Sequence, residues 1–391
     1  MSETKRPLSN LWLKSYEHSK SATRVSNKCL HSPSLHNSDP QLHLSNTHAG
    51  EINQAYPRNQ LSDIEFISVI RQLAQDKEQA SNSNSPLFLF EMNEGAAIHN
   101  AALLKSFNYD LQAAIQAQPN SPVSYGSEFR HWSKLEPLLK FHPLWLQAKE
   151  IMQNGATFPL KPMRPEDRVI DRAFMLERGN HKGVDIHKQV VQELIHEDVT
   201  HGHSLPLTLE CSERIPLSSI APIGFVEQDT INENGERIPK FRMTHDQSFP
   251  GPSGLSVNNR VEEDELPPCM FGFCLLRIIH YIVHTRFRHP TTRILIGKYD
   301  IKSAYRRAHL SAKTAAESLM IFEGILYLAL QMTFGGAPCP ALWSCLSEPI
   351  CDVANDLIQC ELWDHKILHS SNQYLITLPE RLSDQIPFKA A

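Results

Sequence analysis

Asp300 closes a short apolar run that begins Ile294-Leu295-Ile296, and Tyr305 follows it five residues later. Seven Lys and Arg side chains fall between Arg286 and Arg307. The apolar run reads as a buried strand. A carboxylate at the end of such a strand, beside an aromatic ring and a group of cations, has the donors needed to hold a metal-bound, phosphate-rich ligand. A second pair of cations lies upstream. Ile220–Val226 and Ile238–Thr244 read as strands joined across Asn234-Gly235, a strong two-residue hairpin signal. With a side-chain period of two, Ile238, Lys240, Arg242 and Thr244 share one face, so Lys240 and Arg242 project together. On an isolated edge strand they would simply be solvated charges.

The elements that must position these residues follow in order. Phe271–Phe287 is predicted as a helix with Cys274, Leu275, Ile278, Ile282 and Val283 on an apolar stripe, buried against a sheet. The acidic run Glu262–Glu265 before it reads as a solvated helix start. After Asp300 come a short helix at Ser311–Ser318 and two apolar strands, Leu319–Phe322 and Ile325–Met332, turned at Glu323-Gly324. A last helix opens after Gly335-Gly336-Ala337-Pro338 and runs to about Ile358, with Leu342, Leu346, Ile350 and Val353 facing inward. Upstream, helices are predicted at Asp63–Ala80 behind a Ser62-Asp63 cap, with Ile64, Ile67, Ile70 and Leu73 on its apolar side, and at Ala96–Ala117, Pro165–Arg178 and Lys188–Val199. A further unit spans Tyr125–Gly155, and the Ile186–Ile195 stripe reads as core.

Composition bounds the remaining possibilities. The chain has 391 residues, 41% of them hydrophobic, enough for a sizeable core. Its net charge of -5 excludes a uniformly basic coat protein, so any polyanion contact rests on local clusters. No apolar run reaches membrane-spanning length, the best candidates being interrupted by Arg277 and Glu323, so no membrane partner is expected. The eight cysteines form no Cys-x-x-Cys pair, and Cys339, Cys345 and Cys351 share one predicted helix, so they read as reduced thiols of an intracellular protein, cytoplasmic or nuclear. No Gly-x-Ser-x-Gly elbow is present. Residues 1–86 are rich in Ser, Asn, His and Gln and read as a mostly disordered polar segment. Residues 87–211 read as a helical N-terminal extension, 212–358 as an α+β unit, and 359–391 as an irregular tail.

Three stretches carry a resemblance. Lys240-Phe241-Arg242-Met243-Thr244-His245-Asp246-Gln247-Ser248-Phe249-Pro250, with Ser256-Val257-Asn258 after it, resembles the fingers segment of retroelement reverse transcriptases. Asp300-Ile301-Lys302-Ser303-Ala304-Tyr305 resembles their first palm motif, and Thr333-Phe334-Gly335-Gly336-Ala337-Pro338-Cys339-Pro340-Ala341-Leu342-Trp343 their glycine-containing second motif. Each motif is weak alone; three in collinear order are not. The resemblance spans Ile220 to Ile358 and implies a polymerase right-hand fold fragment, fingers plus partial palm, in an RNA-directed DNA polymerase of a retrotransposon. By the same resemblance Asp300 supplies a catalytic carboxylate for Mg²⁺ and the Ile301 carbonyl assists with the metal. Tyr305 lies against the sugar 2′ carbon, Arg242 holds the triphosphate with help from Lys240, and Phe334 and Gly335 border the nucleotide and template. The fingers lysine has two candidates, Arg237 and Lys240. The expected partners are an RNA or DNA primer-template, deoxynucleotides and downstream element-encoded domains.

One departure bears on activity. The family's third motif carries two adjacent aspartates, and this sequence has no Asp-Asp anywhere; Asp352, Asp356 and Asp364 stand in no strand-turn-strand context. A two-metal site with one carboxylate is expected to be inactive, so this chain alone is expected not to extend a primer. The alternative is a non-catalytic nucleic-acid-binding or interaction protein derived from a transposon, discriminated by filter binding at several salt concentrations.

Overall fold

A computed structural model of the chain describes residues 61–75, 88–118, 131–231, 235–269, 274–294, 301 and 303–363. All of them fall in one unit, Tyr56–Ala391. The fold class is α+β: helices pack around a three-stranded antiparallel sheet and a separate two-stranded hairpin.

The three-stranded sheet has the order β1-β5-β4, from β1 (Ser204–Leu207), β4 (Leu319–Phe322) and β5 (Ile325–Ala329). β4 and β5 form a hairpin in which Phe322 pairs with Ile325. Glu323 and Gly324 turn it with φ of 50 and 77, both positive, the type I′ geometry that matches strand twist. The second strand ends at Ala329, three residues short of the predicted Met332. β5 is central and buried on both faces, which is why its sequence is an unbroken apolar run rather than an alternation. Leu326 and Leu328 face one side with Leu205, Leu207 and Leu319. Tyr327 faces the other with Met320 and Phe322.

Helices cover both faces. On the leucine side lie α1 (Asp63–Gln75), α2 (Glu94–Ser106), α3 (Leu111–Gln116), α4 (Trp132–Leu139) and α5 (Trp145–Asn154), all contributing to one apolar cluster. α1 begins with a capping box: the Glu65 amide donates to Ser62 Oγ at 3.3 Å and the Ser62 amide to Glu65 Oε2 at 2.8 Å. Ile67 and Ile70 are buried as predicted, but Ile64 is exposed and Phe66 takes the inner position instead. The predicted helical stretch Ala96–Ala117 is broken, because Asn108 and Tyr109 adopt positive φ and Asp110 caps a new helix through the Ala113 amide. α6 (Pro165–Arg178) matches its predicted span, with Pro165 at the N-terminus and Glu166 and Asp167 in the first turn. Across the sheet, Val184 of α7 (Lys182–Ile186) and Val191, Ile195 and Val199 of α8 (Lys188–Thr200) cover Tyr327. Ile186, placed in the core by the sequence pattern, is 75% exposed.

The hairpin pairs β2 (Ile223–Ile231) with β3 (Arg237–His245) in the register Val226↔Arg242 and Gln228↔Lys240. β2 starts three residues later and runs five residues further than the sequence pattern implied. Residue 234 of the predicted Asn-Gly turn lies outside the described residues, and Gly235 has φ 80. The acidic run forms only a single 3₁₀ turn, Glu263–Glu265, and starts no α-helix.

Two expectations are corrected downstream. α10 (Cys274–Arg288, after the short α9 at Cys211–Arg214) is helical as predicted, but it is not buried against a sheet: Leu275, Val283 and Phe287 are exposed by 65%, 62% and 84%. Its 3.6-residue period is genuine, yet none of the strands described lies over it. In α12 (Cys339–Gln359, after α11 at Ala312–Ala316), Leu342 and Leu346 are buried and Val353 packs against the same core as expected, but Ile350 is 44% exposed. Among the described residues no helix is long and apolar enough to cross a membrane. The expected disorder of residues 1–86 falls, outside α1, on residues beyond those described.

Two buried histidines give the fold a pH dependence. Burial pushes both His245 and His309 down to about 4, so both are neutral in the folded chain at neutral pH. The unfolded chain protonates them at the ordinary value near 6.5, so stability is complete above that pH and declines as pH falls toward 4. The melting temperature is expected to fall between pH 7 and pH 5, before ordinary carboxylates titrate, and the slope is expected to shrink in His309→Gln. An unchanged slope in that variant would assign the effect elsewhere.

Candidate functional site

Asp300, the residue around which the sequence reading turns, lies outside the described residues, as does Lys302. Ile301 is described and exposed. Ser303 then adopts left-handed φ 55 and ψ 43, and a 3₁₀ turn, Ala304–Arg307, presents Tyr305. A non-glycine residue in that region costs on the order of 1 kcal/mol. The turn is held from behind by Arg306, whose Nη2 lies 2.5 Å from Asp198 Oδ2 on α8. Burial raises the Asp198 carboxyl, but Arg306 and His203 outweigh it and hold it below the usual range. Arg306 is therefore spent on fixing the turn, a correction to the reading of all seven cations as one ligand-facing cluster. Arg286, Arg288 and Arg293 of that group are exposed.

Tyr305, Phe334 and Arg242 come together from three separate stretches. The Tyr305 and Phe334 rings are 5.4 Å apart, and Trp343 of α12 meets Tyr305 edge-on at 6.5 Å. Arg242 Cζ lies 5.8 Å from the Phe334 ring centroid, within cation–π range. The guanidinium and the two rings thus form one continuous surface, with Phe334 46% exposed at its middle. Burial raises the Tyr305 phenol above its ordinary value, so the ring presents a neutral hydroxyl. Lys240 stands two residues before Arg242 on the same strand face and is exposed, whereas Arg237, the other candidate for the fingers lysine, lies 3.8 Å from Asp229.

Gly335 joins this surface to the hairpin. Its φ is 142, and a Cβ there would lie 1.8 Å from the His245 carbonyl oxygen, so only glycine fits. The His245 amide in turn donates to the Phe334 carbonyl at 3.0 Å. His245 Nε2 donates to the Leu319 carbonyl at 3.1 Å, tying the same residue to the central sheet. Trp343 and Asn258 belong to the stretches singled out in the sequence, but nothing there indicated that Trp343 braces Tyr305 or that Asn258 touches the glycine loop.

Other chemistries find little support. Burial pushes the Cys339 thiol up to about 12 and the Cys345 thiol up to about 11, leaving both protonated and weakly nucleophilic. Asp352 accepts from His142 Nε2 at 3.0 Å and is committed there. Among the described residues no group of three or more His, Cys, Asp or Glu side chains is placed to hold a metal ion. A cavity of about 330 Å³ lined by Phe158, Leu160, Glu262, Lys313 and Leu342 includes none of Arg242, Tyr305, Phe334 and Gly335. No family model, curated protein or solved structure matches this chain.

Proposed function

We propose that this chain is a fingers and partial-palm segment of a reverse transcriptase from a retrotransposon-like element. Its described residues would form the face that receives a deoxynucleoside triphosphate. The observation that carries the reading is the meeting of Arg242, Phe334 and Tyr305, which come from three motifs as much as 92 residues apart (334 minus 242) and share one surface. Arg242 offers the planar fork that pairs bidentately with phosphate oxygens. Tyr305, wedged between Phe334 and Trp343, is stiff enough to exclude a ribose 2′ hydroxyl by contact. Gly335, where a Cβ would strike the His245 carbonyl, lets the loop close against the hairpin and so carries Phe334 to this face. A primer-template of RNA or DNA is the macromolecular partner this reading calls for.

Mg²⁺ would neutralise the triphosphate and activate the primer hydroxyl in such an enzyme. The described residues do not make a complete ligand set for it, and the sequence has no adjacent aspartates, so no chemical step is assigned to this chain. The reading therefore concerns binding. Arg242→Ala is expected to weaken binding of a fluorescent deoxynucleoside triphosphate with Mg²⁺ by about tenfold or more, the scale of a lost charge-assisted hydrogen bond. Arg237→Ala is expected to leave binding unchanged. Equal affinity in the wild-type chain and Arg242→Ala would refute the assignment.

A further inference from the structure

We propose that Asn258 is a positioning residue: its carboxamide locks the glycine loop to the base of the β2–β3 hairpin and so fixes where Phe334 meets Arg242 and Tyr305. The consequence for ligand binding rests on the reading above; the lock itself does not. Both ends of the amide are engaged. Nδ2 donates to the Gly335 carbonyl at 2.6 Å and to Ser248 Oγ at 2.8 Å, while Oδ1 accepts from the Ala337 amide at 2.8 Å. The Asn258 backbone amide also donates to the Gln247 carbonyl at 2.9 Å. One residue therefore holds two segments: Gln247-Ser248, just past the end of β3, and Gly335–Ala337.

The mount is rigid. Asn258 opens the 3₁₀ turn Asn258–Arg260, and the Arg260 side chain is 2% exposed with Nη2 2.5 Å from Glu317 Oε2. Glu317 also receives Arg168 of α6 at 2.6 Å, so the turn is pinned to the body of the protein. The close approach of Gly335 to the His245 carbonyl leaves the loop little freedom to settle elsewhere. Alanine at 258 would give up the side-chain bonds while the turn and the Arg260 anchor remain. The chain is expected to stay folded and the loop to lose its register.

Hydrogen exchange on the full chain tests this. In Asn258→Ala, peptides covering Phe334–Ala337 and His245 are expected to exchange about tenfold faster, while those covering β5 keep the wild-type rate. Asn258→Asp keeps an acceptor for the Ala337 amide but turns a carboxylate oxygen toward the Gly335 carbonyl, so its protection is expected to fall between wild type and alanine. Unchanged exchange in the loop, or an equal rise throughout the chain, would overturn the lock. A parallel titration with Mg²⁺ and deoxythymidine triphosphate is expected to show weaker binding in Asn258→Ala, on the order of tenfold. Loop exchange that rises with no loss of triphosphate affinity would overturn the positioning role. A wild-type chain that binds no triphosphate would remove the ligand reading, while the exchange result still decides the lock.

Discussion

Glu317→Ala is expected to destabilise the chain by about 3–5 kcal/mol, because it leaves two buried guanidinium groups facing each other without their carboxylate. Glu317 is 2% exposed, and Arg168 and Arg260 both address its two oxygens, at 2.6 and 3.0 Å and at 3.2 and 2.5 Å respectively. Each arginine also donates to a backbone carbonyl, Arg168 to Leu217 and Arg260 to Lys161, so neither can swing to solvent without abandoning further bonds. The pair of arginines joins α6 and the 3₁₀ turn of Asn258 to Glu317, the residue that follows α11. A denaturation midpoint should fall accordingly. Replacing all three together, Arg168→Met, Glu317→Leu and Arg260→Met, is expected to cost far less than Glu317→Ala alone, since apolar side chains of similar volume carry no desolvation penalty. A midpoint unchanged by Glu317→Ala would mean that the three charges are not buried together.

Gly335→Ala is the second large effect. The new Cβ would sit 1.8 Å from the His245 oxygen, and φ of 142 is strained for any residue with a side chain. The loop must move, and with it Phe334, so triphosphate affinity is expected to fall by tenfold or more with a stability loss of about 2–3 kcal/mol. Gly324→Ala separates the two causes. Gly324 has φ 77 at an exposed turn with nothing within 4 Å of its Cβ position, so that variant carries the backbone strain alone, about 1 kcal/mol, and should leave binding intact. Equal losses in the two variants would show that the His245 contact is not what constrains Gly335.

Local pattern made much of this legible. The β4–β5 hairpin, α6 and the opening of α12 are where the sequence puts them, because type I′ turns, N-terminal proline and apolar periodicity act within a few residues. β1 was invisible: Ser-Leu-Pro-Leu is too short and too proline-bearing to read as a strand, and it pairs because an edge position tolerates Pro206. The sequence pattern ends β2 at Val226 because Glu227-Gln228-Asp229 looks like loop, although these residues pair with Phe241, Lys240 and Pro239 on an exposed ladder. For α10 the period gave the stripe but not its partner. Glu317 carried no signal, since its two arginines lie 149 and 57 residues away and no spacing rule reaches so far. Asn258 had the same difficulty. Arg242, Tyr305, Phe334 and Gly335 all lie in the three stretches that the sequence singles out, while their meeting required the fold.

The most direct measurement is photolabelling of the full chain with 5-azido-deoxyuridine triphosphate in the presence of Mg²⁺, followed by peptide mapping. Labelling is predicted on the peptides carrying Tyr305 or Phe334, suppressed by unlabelled deoxythymidine triphosphate and diminished in Arg242→Ala. Adducts confined to other peptides, or labelling that competitor does not reduce, would contradict the account.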